Sequence, residues 1–380
     1  MWTVAQLAED MAKGRTTSRR IVEQALERIQ DAQGEGTRAF LAVHAEAARA
    51  EADYCDRLRR AGVRRSPVDG LPVSLKDLFD VAGEVTRAGS KIRAGIPPSA
   101  ADAPAVARLR AAGAVFIGRT NMVEFAFGGV GLNPHFGTPR NPYDRKTGRV
   151  PGGSSSGGAV AQADGMCVMA LGSDTRGSIR GPAALCGLVG WKPTAARVPR
   201  EGAFPLSFTL DSVGPLANSV ACAAAYDAVL SGEPPADLSL EARGLRLLLP
   251  RSSALADLDR EVGEAFETAL ARLSGAGALV VERPVAAFDR QDEYFKGGGY
   301  AGAEAYFIHR AWRSRIGEYD PRVGKRILLG QSISASDYLA LAELRAAFMR
   351  EVADLAAPFD AMVMPTVPCV APAIADADAS

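Results

Sequence analysis

The sequence predicts an α/β layer fold with a mostly parallel or mixed sheet, and three observations carry that prediction. Short apolar runs alternate with segments of helical spacing: Leu71–Lys76, Ala103–Ala112 and Val115–Gly118, then a helix over Gly158–Met166 and a strand over Cys167–Leu171. Two loops rich in serine and glycine bracket that last helix and strand within Gly152–Arg180, so the chain returns near its starting point. The 380 residues are 47% hydrophobic and 23% charged, ordinary values for a globular protein able to bury a large core.

At the N-terminal end, Thr17 or Ser18 can cap a helix whose apolar face is Ile21, Val22, Ala25, Leu26 and Ile29. An alanine-rich helix is expected from about Leu41 to Arg60. In the run Leu71–Lys76, Val73 and Leu75 point one way while Ser74 and Lys76 point the other. Asn121–Asp144, rich in Gly, Pro and Asn, should form a long ordered loop, a common wall of functional sites. Val198–Pro215 reads as irregular, Ala217–Leu230 as helix, and Glu233–Asp237 as a linker. Beyond it, Leu245–Leu249 and Leu279–Glu282 are strand-like around a helix carrying Val262, Phe266, Ala269, Leu270 and Leu273. Residues 289–357 look helical, with aromatic residues distributed through them.

Charge and composition narrow the function. Forty-four basic residues balance 44 acidic ones, so nothing electrostatic points to nucleic acid or an anionic membrane. No apolar run reaches membrane-spanning length, and the N-terminus reads as a helix and not as a signal peptide. The five cysteines are scattered and never in a CxxC spacing, which argues against a disulfide framework or zinc site and favours a cytoplasmic location. No cluster of His, Asp and Glu suggests a metal, and no cofactor is implied.

Ser154 and Ser178 lie in the two serine-glycine loops and can meet at one end of the sheet, yet neither has a histidine nearby in sequence. Of the three histidines, His135 is the alternative base, but no G-x-S-x-G elbow accompanies it. Lys76, on a short apolar strand, is the stronger candidate, because burial favours the neutral amine that can take a proton. The word GGSSSGG alone fits a flexible turn or phosphate loop, but no Gly-Lys-Ser/Thr follows it.

Three words in order, VSLKDLFDV around Lys76, PGGSSSGG around Ser154 and GSDTRGSIRGPAALCGLVGWKPT around Ser178, resemble the amidase signature hydrolases. The likeness extends through TNMVEFAFGGVGLNPHFGTPRNPYD and MPTVPCVAP, covering about Thr3 to Pro372. It implies a large mixed central β-sheet covered by helices on both faces, with residues 1–372 as one domain. Residues 71–215 would be its catalytic core and 289–357 would shape the pocket. The resemblance further implies Lys76 as base, Ser154 as a relay serine held by a cis peptide bond, and Ser178 as nucleophile. Ser155 and Ser156 compete for the relay role; Ser154 is preferred as the first serine after Gly152 and Gly153. Backbone N–H groups of Thr175, Arg176, Gly177 and Ser178 would form an oxyanion hole, with Ser155, Gly152, Gly153 and Asp174 supporting the two loops. Arg176 stands where the common pattern has glycine; its side chain is read as facing solvent or structural in preference to lining the pocket. Arg180 and Lys192 are read as structural.

The implied activity is hydrolysis of a small carboxamide to a carboxylate and ammonia through an acyl-enzyme. Two alternatives stay open: the glutaminase subunit of a tRNA-dependent amidotransferase, and a catalytically weak scaffold. The partner expected is a small-molecule amide, with no direct nucleic acid and no membrane; a homodimer is allowed. The family's C-terminal portion is expected to be missing, leaving 373–380 as an unstructured tail.

Overall fold

The computed structural model describes residues 2–253 and 256–379, apart from the side chain of Gln291. These residues gather into two compact units, where the sequence suggests one domain over 1–372. The first comprises Met1–Ala236, Ala311–Gly324 and Ala371–Ser380; the second comprises Asp237–Arg310 and Lys325–Val370. The boundary after Ala236 falls inside the expected linker.

The first unit is built on a six-stranded mixed sheet. Its strands are β1 (Phe40–Val43), β2 (Pro72–Lys76), β3 (Val115–Thr120), β4 (Met169–Asp174), β5 (Val189–Gly190) and β6 (Ser212–Ala217), in spatial order β1-β3-β2-β4-β6-β5. The central β2 runs parallel to both β3 and β4, whereas β6 runs antiparallel to β4. All five residues of β2 are buried, so both faces of the sheet are covered at its centre. Helix Ser18–Gln30, capped by the Thr17 side chain, buries Ile21, Val22, Ala25, Leu26 and Ile29 as its spacing predicts. Helix Ser156–Ala163 packs the small residues Ala159, Val160 and Ala161 into the same core as Ala170 and Leu216.

Three segments differ from expectation. The helix expected from Leu41 starts at Ala45, because Phe40–Val43 pairs antiparallel with β3 as an edge strand. Ser212–Pro215, read as irregular, and Ala217, read as the start of a helix, belong to the fully buried β6. Its Gly214 and Pro215 resemble turn residues, yet Pro215 still contributes its carbonyl, which accepts from Trp191 N at 3.0 Å. The tail is also ordered: Ile374–Ala379 is a helix, and Ile374 and Ala377 pack on Leu132, Val150 and Ala371. Val150 N donates to Pro372 O, and Arg149 donates to Ala371 O at 2.7 Å, so this stretch is tied by main chain and side chain alike. Ser380 and Met1 lie outside the described residues.

The second unit holds a parallel sheet of β7 (Arg246–Arg251), β8 (Leu279–Pro284) and β9 (Ala361–Met362), in the order β8-β7-β9. Helix Arg260–Gly275 connects β7 to β8 as a crossover. The expected helical region is present as several helices, the longest being Ala335–Ala356, which opens on a capping box of Ser334 and Asp337. No helix among the described residues is long and apolar enough to cross a membrane.

Candidate active site

Parallel pairing places the C-terminal ends of β2 and β4 side by side, with Leu75 opposite Leu171. Lys76 closes β2, while Ser173 and Asp174 close β4, which runs three residues beyond the strand read from sequence. Lys76 is 1% exposed. Its Nζ lies 2.7 Å from Ser154 Oγ and 2.9 Å from Ser173 Oγ. Burial pushes the Lys76 pKa down to about 7, against the opposing pull of the Asp174 and Asp211 carboxylates. Near neutral pH a large fraction of this amine is therefore uncharged, with a lone pair free to accept the Ser154 proton.

The peptide bond Gly153–Ser154 is cis. The two glycines before Ser154 are demanded by close packing. A Cβ on Gly153 would stand 2.8 Å from Gly131 N and 2.9 Å from Val123 Cγ2. Gly152 has φ +79°, and its Cβ would meet Pro182 Cα at 2.8 Å. Of the three serines weighed for the relay, Ser154 is bonded to Lys76, whereas the hydroxyls of Ser155 and Ser156 are buried with no hydrogen-bond partner among the described residues.

Ser178 follows β4 in the loop centred on Asp174. The Asp174 carboxylate is fully buried and accepts from the backbone N–H of Gly177, Ile179 and Arg180, and from the Arg180 guanidinium at 2.9 and 3.0 Å. Burial raises the Asp174 pKa, but the Arg180 pairing and these amides outweigh it and hold the carboxyl below its usual range. Arg180 is thus paired with a carboxylate of its own loop. Ser178, 8% exposed, joins the other loop through its carbonyl, which accepts from Ser155 N at 3.3 Å. One expected oxyanion donor is corrected: the Gly177 N–H is committed to Asp174 at 2.7 Å. The Ser178 and Thr175 amides make no hydrogen bond among the described residues.

Sequence reasoning missed two groups. Ser173 gives Lys76 its second hydroxyl partner. Asp211, within the segment read as irregular, accepts from Thr175 Oγ1 at 2.5 Å and from the amides of Leu206 and Ser207. Both line a cavity of about 300 Å³ whose wall includes Leu78, Phe204, Phe208 and Val213. Neither carried a spacing signal; only the strand ends bring them to Lys76. His135, the alternative base, pairs with Glu124: its Nε2 lies 3.0 Å from Glu124 Oε1, a buried carboxyl whose pKa desolvation raises. Among the described residues no cluster of three or more His, Cys, Asp or Glu is placed to hold a metal ion.

A lysine amine bonded to one serine, and a second serine loop on the adjoining strand end, frame the comparison with known proteins. The amidase family model matches residues 20–380. The chain belongs to the amidase family. It is 39% identical over 383 residues to AtzE, a 1-carboxybiuret hydrolase subunit of Pseudomonas sp. strain ADP, a match spanning 97% of this chain and 82% of that protein. It is 37% identical over 406 residues to a subunit of the glutamyl-tRNA(Gln) amidotransferase of Roseiflexus castenholzii, again over 97% and 82%. The native peptide amidase of Stenotrophomonas maltophilia superposes with a TM-score of 0.76 at 31% identity, over 96% of this chain and 85% of that one. This amidase is accordingly a hydrolase of linear amide C–N bonds with the mixed α/β fold of its family.

Proposed function

We propose that this amidase converts a small carboxamide to a carboxylate and ammonia through a serine acyl-enzyme. The observation that carries the reading is the 2.7 Å contact between Ser154 Oγ and a buried lysine amine whose pKa is about 7. Ser178 Oγ attacks the amide carbonyl carbon. Its proton passes to Ser154 Oγ as the Ser154 proton passes to Lys76 Nζ. The tetrahedral oxyanion is stabilised by backbone N–H groups of the nucleophile loop, Ser178 and Thr175 foremost. Collapse breaks the C–N bond, and the proton held on Lys76 returns through Ser154 to the leaving nitrogen, which departs as ammonia. Water then cleaves the acyl ester by the same relay, freeing the carboxylate. We place the reaction in the cytoplasm, where the five free thiols, Cys369 exposed and the rest buried, stay reduced.

The test is ammonia release from a panel of aliphatic, aromatic, ureido and dicarboxylic amides, repeated with Ser178→Ala. Turnover should disappear with Ser178→Ala, and a fluorophosphonate probe should label native protein at Ser178 alone. Near-native turnover by that variant, or labelling at another serine, rejects the assignment. Similarity to the amidotransferase subunit supports a second reading, a glutaminase that works with a partner subunit. Glutamine hydrolysis that appears only when a copurifying subunit is present would select it. The scaffold alternative is disfavoured by the placement of the buried Lys76 amine 2.7 Å from the Ser154 hydroxyl.

A further inference from the structure

Phe204, which lines the cavity, belongs to an aromatic group: it lies 5.2 Å from Phe125 and 6.2 Å from Trp312, and Phe125 lies 5.2 Å from Tyr319, ring centroid to ring centroid. Over this group sits Arg93. Its guanidinium carbon is 4.4 Å from the Phe204 ring centre and 5.4 Å from that of Trp312. Its Nε donates to Thr86 O at 2.8 Å. Half-buried as it is, Arg93 has no carboxylate within 4 Å among the described residues, unlike Arg119, Arg140, Arg145 and Arg180 of the same unit. The two carboxylates that bear on it electrostatically, Asp80 and Asp77, are engaged elsewhere. Asp80 accepts the hydroxyls of Thr86 and Ser99, and Asp77 accepts Gly89 N and Arg119 Nε. Desolvation correspondingly holds the Arg93 pKa below its ordinary value.

A guanidinium stacked on aromatic faces keeps its in-plane N–H donors free, and the partner that geometry fits best is a carboxylate held bidentately. We propose that Arg93 is a specificity-determining residue, which makes this an amidase of anionic substrates carrying a carboxylate remote from the scissile carboxamide. The inference rests on the amide-hydrolysing reading above and adds the substrate class to it. Phe204 would present its cavity edge to the substrate's carbon chain while its face holds the cation.

The probes are malonamate, succinamate, glutaramate and adipamate, each set against the neutral alkanamide of equal length. Binding is measured by calorimetry on Ser178→Ala protein, with and without Arg93→Gln; turnover is measured as ammonia release by native, Arg93→Gln and Arg93→Lys proteins. At least one monoamide acid should bind the Ser178→Ala protein, and Arg93→Gln should weaken it tenfold or more while leaving alkanamides unchanged. In turnover the loss should fall mainly on KM, with Arg93→Lys recovering part of it. If no acid binds, or if Arg93→Gln weakens acids and alkanamides alike or affects neither, the proposal is overturned, the uniform loss marking a residue that only builds the wall. If binding discriminates as expected but no amide releases ammonia, the hydrolytic reading fails and the anion site stands.

Discussion

At the scale of single residues, the proposed mechanism turns on the charge of Lys76. Its depressed pKa of about 7 means that the neutral amine dominates above that pH and the ammonium below it. Activity that needs the neutral amine must therefore rise with pH through an acid limb near 7. A profile of kcat/KM on any cleaved amide tests this; a limb below pH 5 would instead assign the base to a carboxylate. The same group links pH to folding. Between about 7 and its ordinary value of 10.5 the unfolded chain binds a proton that the folded chain does not, so Lys76 adds stability as pH rises across that window. Asp174 behaves oppositely in origin: its lowered pKa contributes stability above the ordinary carboxylate value, lost as acid protonates it. Replacing Lys76 by alanine should lower turnover by a factor of about 10² or more, the usual worth of a general base.

At the scale of elements, the site is a junction of two strand ends and two loops, and its tolerances are steric. Gly153 is enclosed by main-chain atoms of Gly131 and Gly128 and by the Val123 side chain, none of which is the free end of a flexible group. Gly153→Ala should thus displace Ser154 from Lys76 and cost about 1–3 kcal/mol by overpacking. A fall in melting temperature together with loss of turnover is the expected pair of readouts; native values of both would show that the loop has room the packing does not suggest. The mirror case is Gly177, which has φ +117° but nothing within 4 Å of an added Cβ, so its constraint is conformational and not spatial.

On the scale of the whole molecule, the first unit is assembled from three separate stretches of chain, and the last of them is Ala371–Ser380. Helix Ile374–Ala379 buries part of Ile374 and Ala377 against Leu132 and Val150, beside the wall loop that carries His135. Deleting residues 373–380 should lower stability by about 1–2 kcal/mol, the worth of that apolar contact, and shift the unfolding midpoint downward. An unchanged midpoint would show that the helix is ornamental to the fold. Legibility in the sequence varied with locality. The Ile21–Ile29 face was plain because helical period and burial coincide within one element. β6 was hidden because Gly214 and Pro215 signal a turn locally, while the antiparallel partner that makes them a strand lies some forty residues earlier. The C-terminal helix was hidden by its small and acidic residues, which become helical on a surface supplied by residues 132 and 150.

By itself the sequence determined the family and the mixed α/β class, and it singled out Lys76, Ser154 and Ser178 as candidates, because motif words record which residue types a crowded loop will accept. Only the tertiary structure decided which serine meets the lysine, that Gly177 serves Asp174, and that Ser173 and Asp211 line the cavity beside Lys76. Those outcomes depend on distances between strand ends remote in the chain, and on the burial that turns an ordinary lysine into a neutral amine.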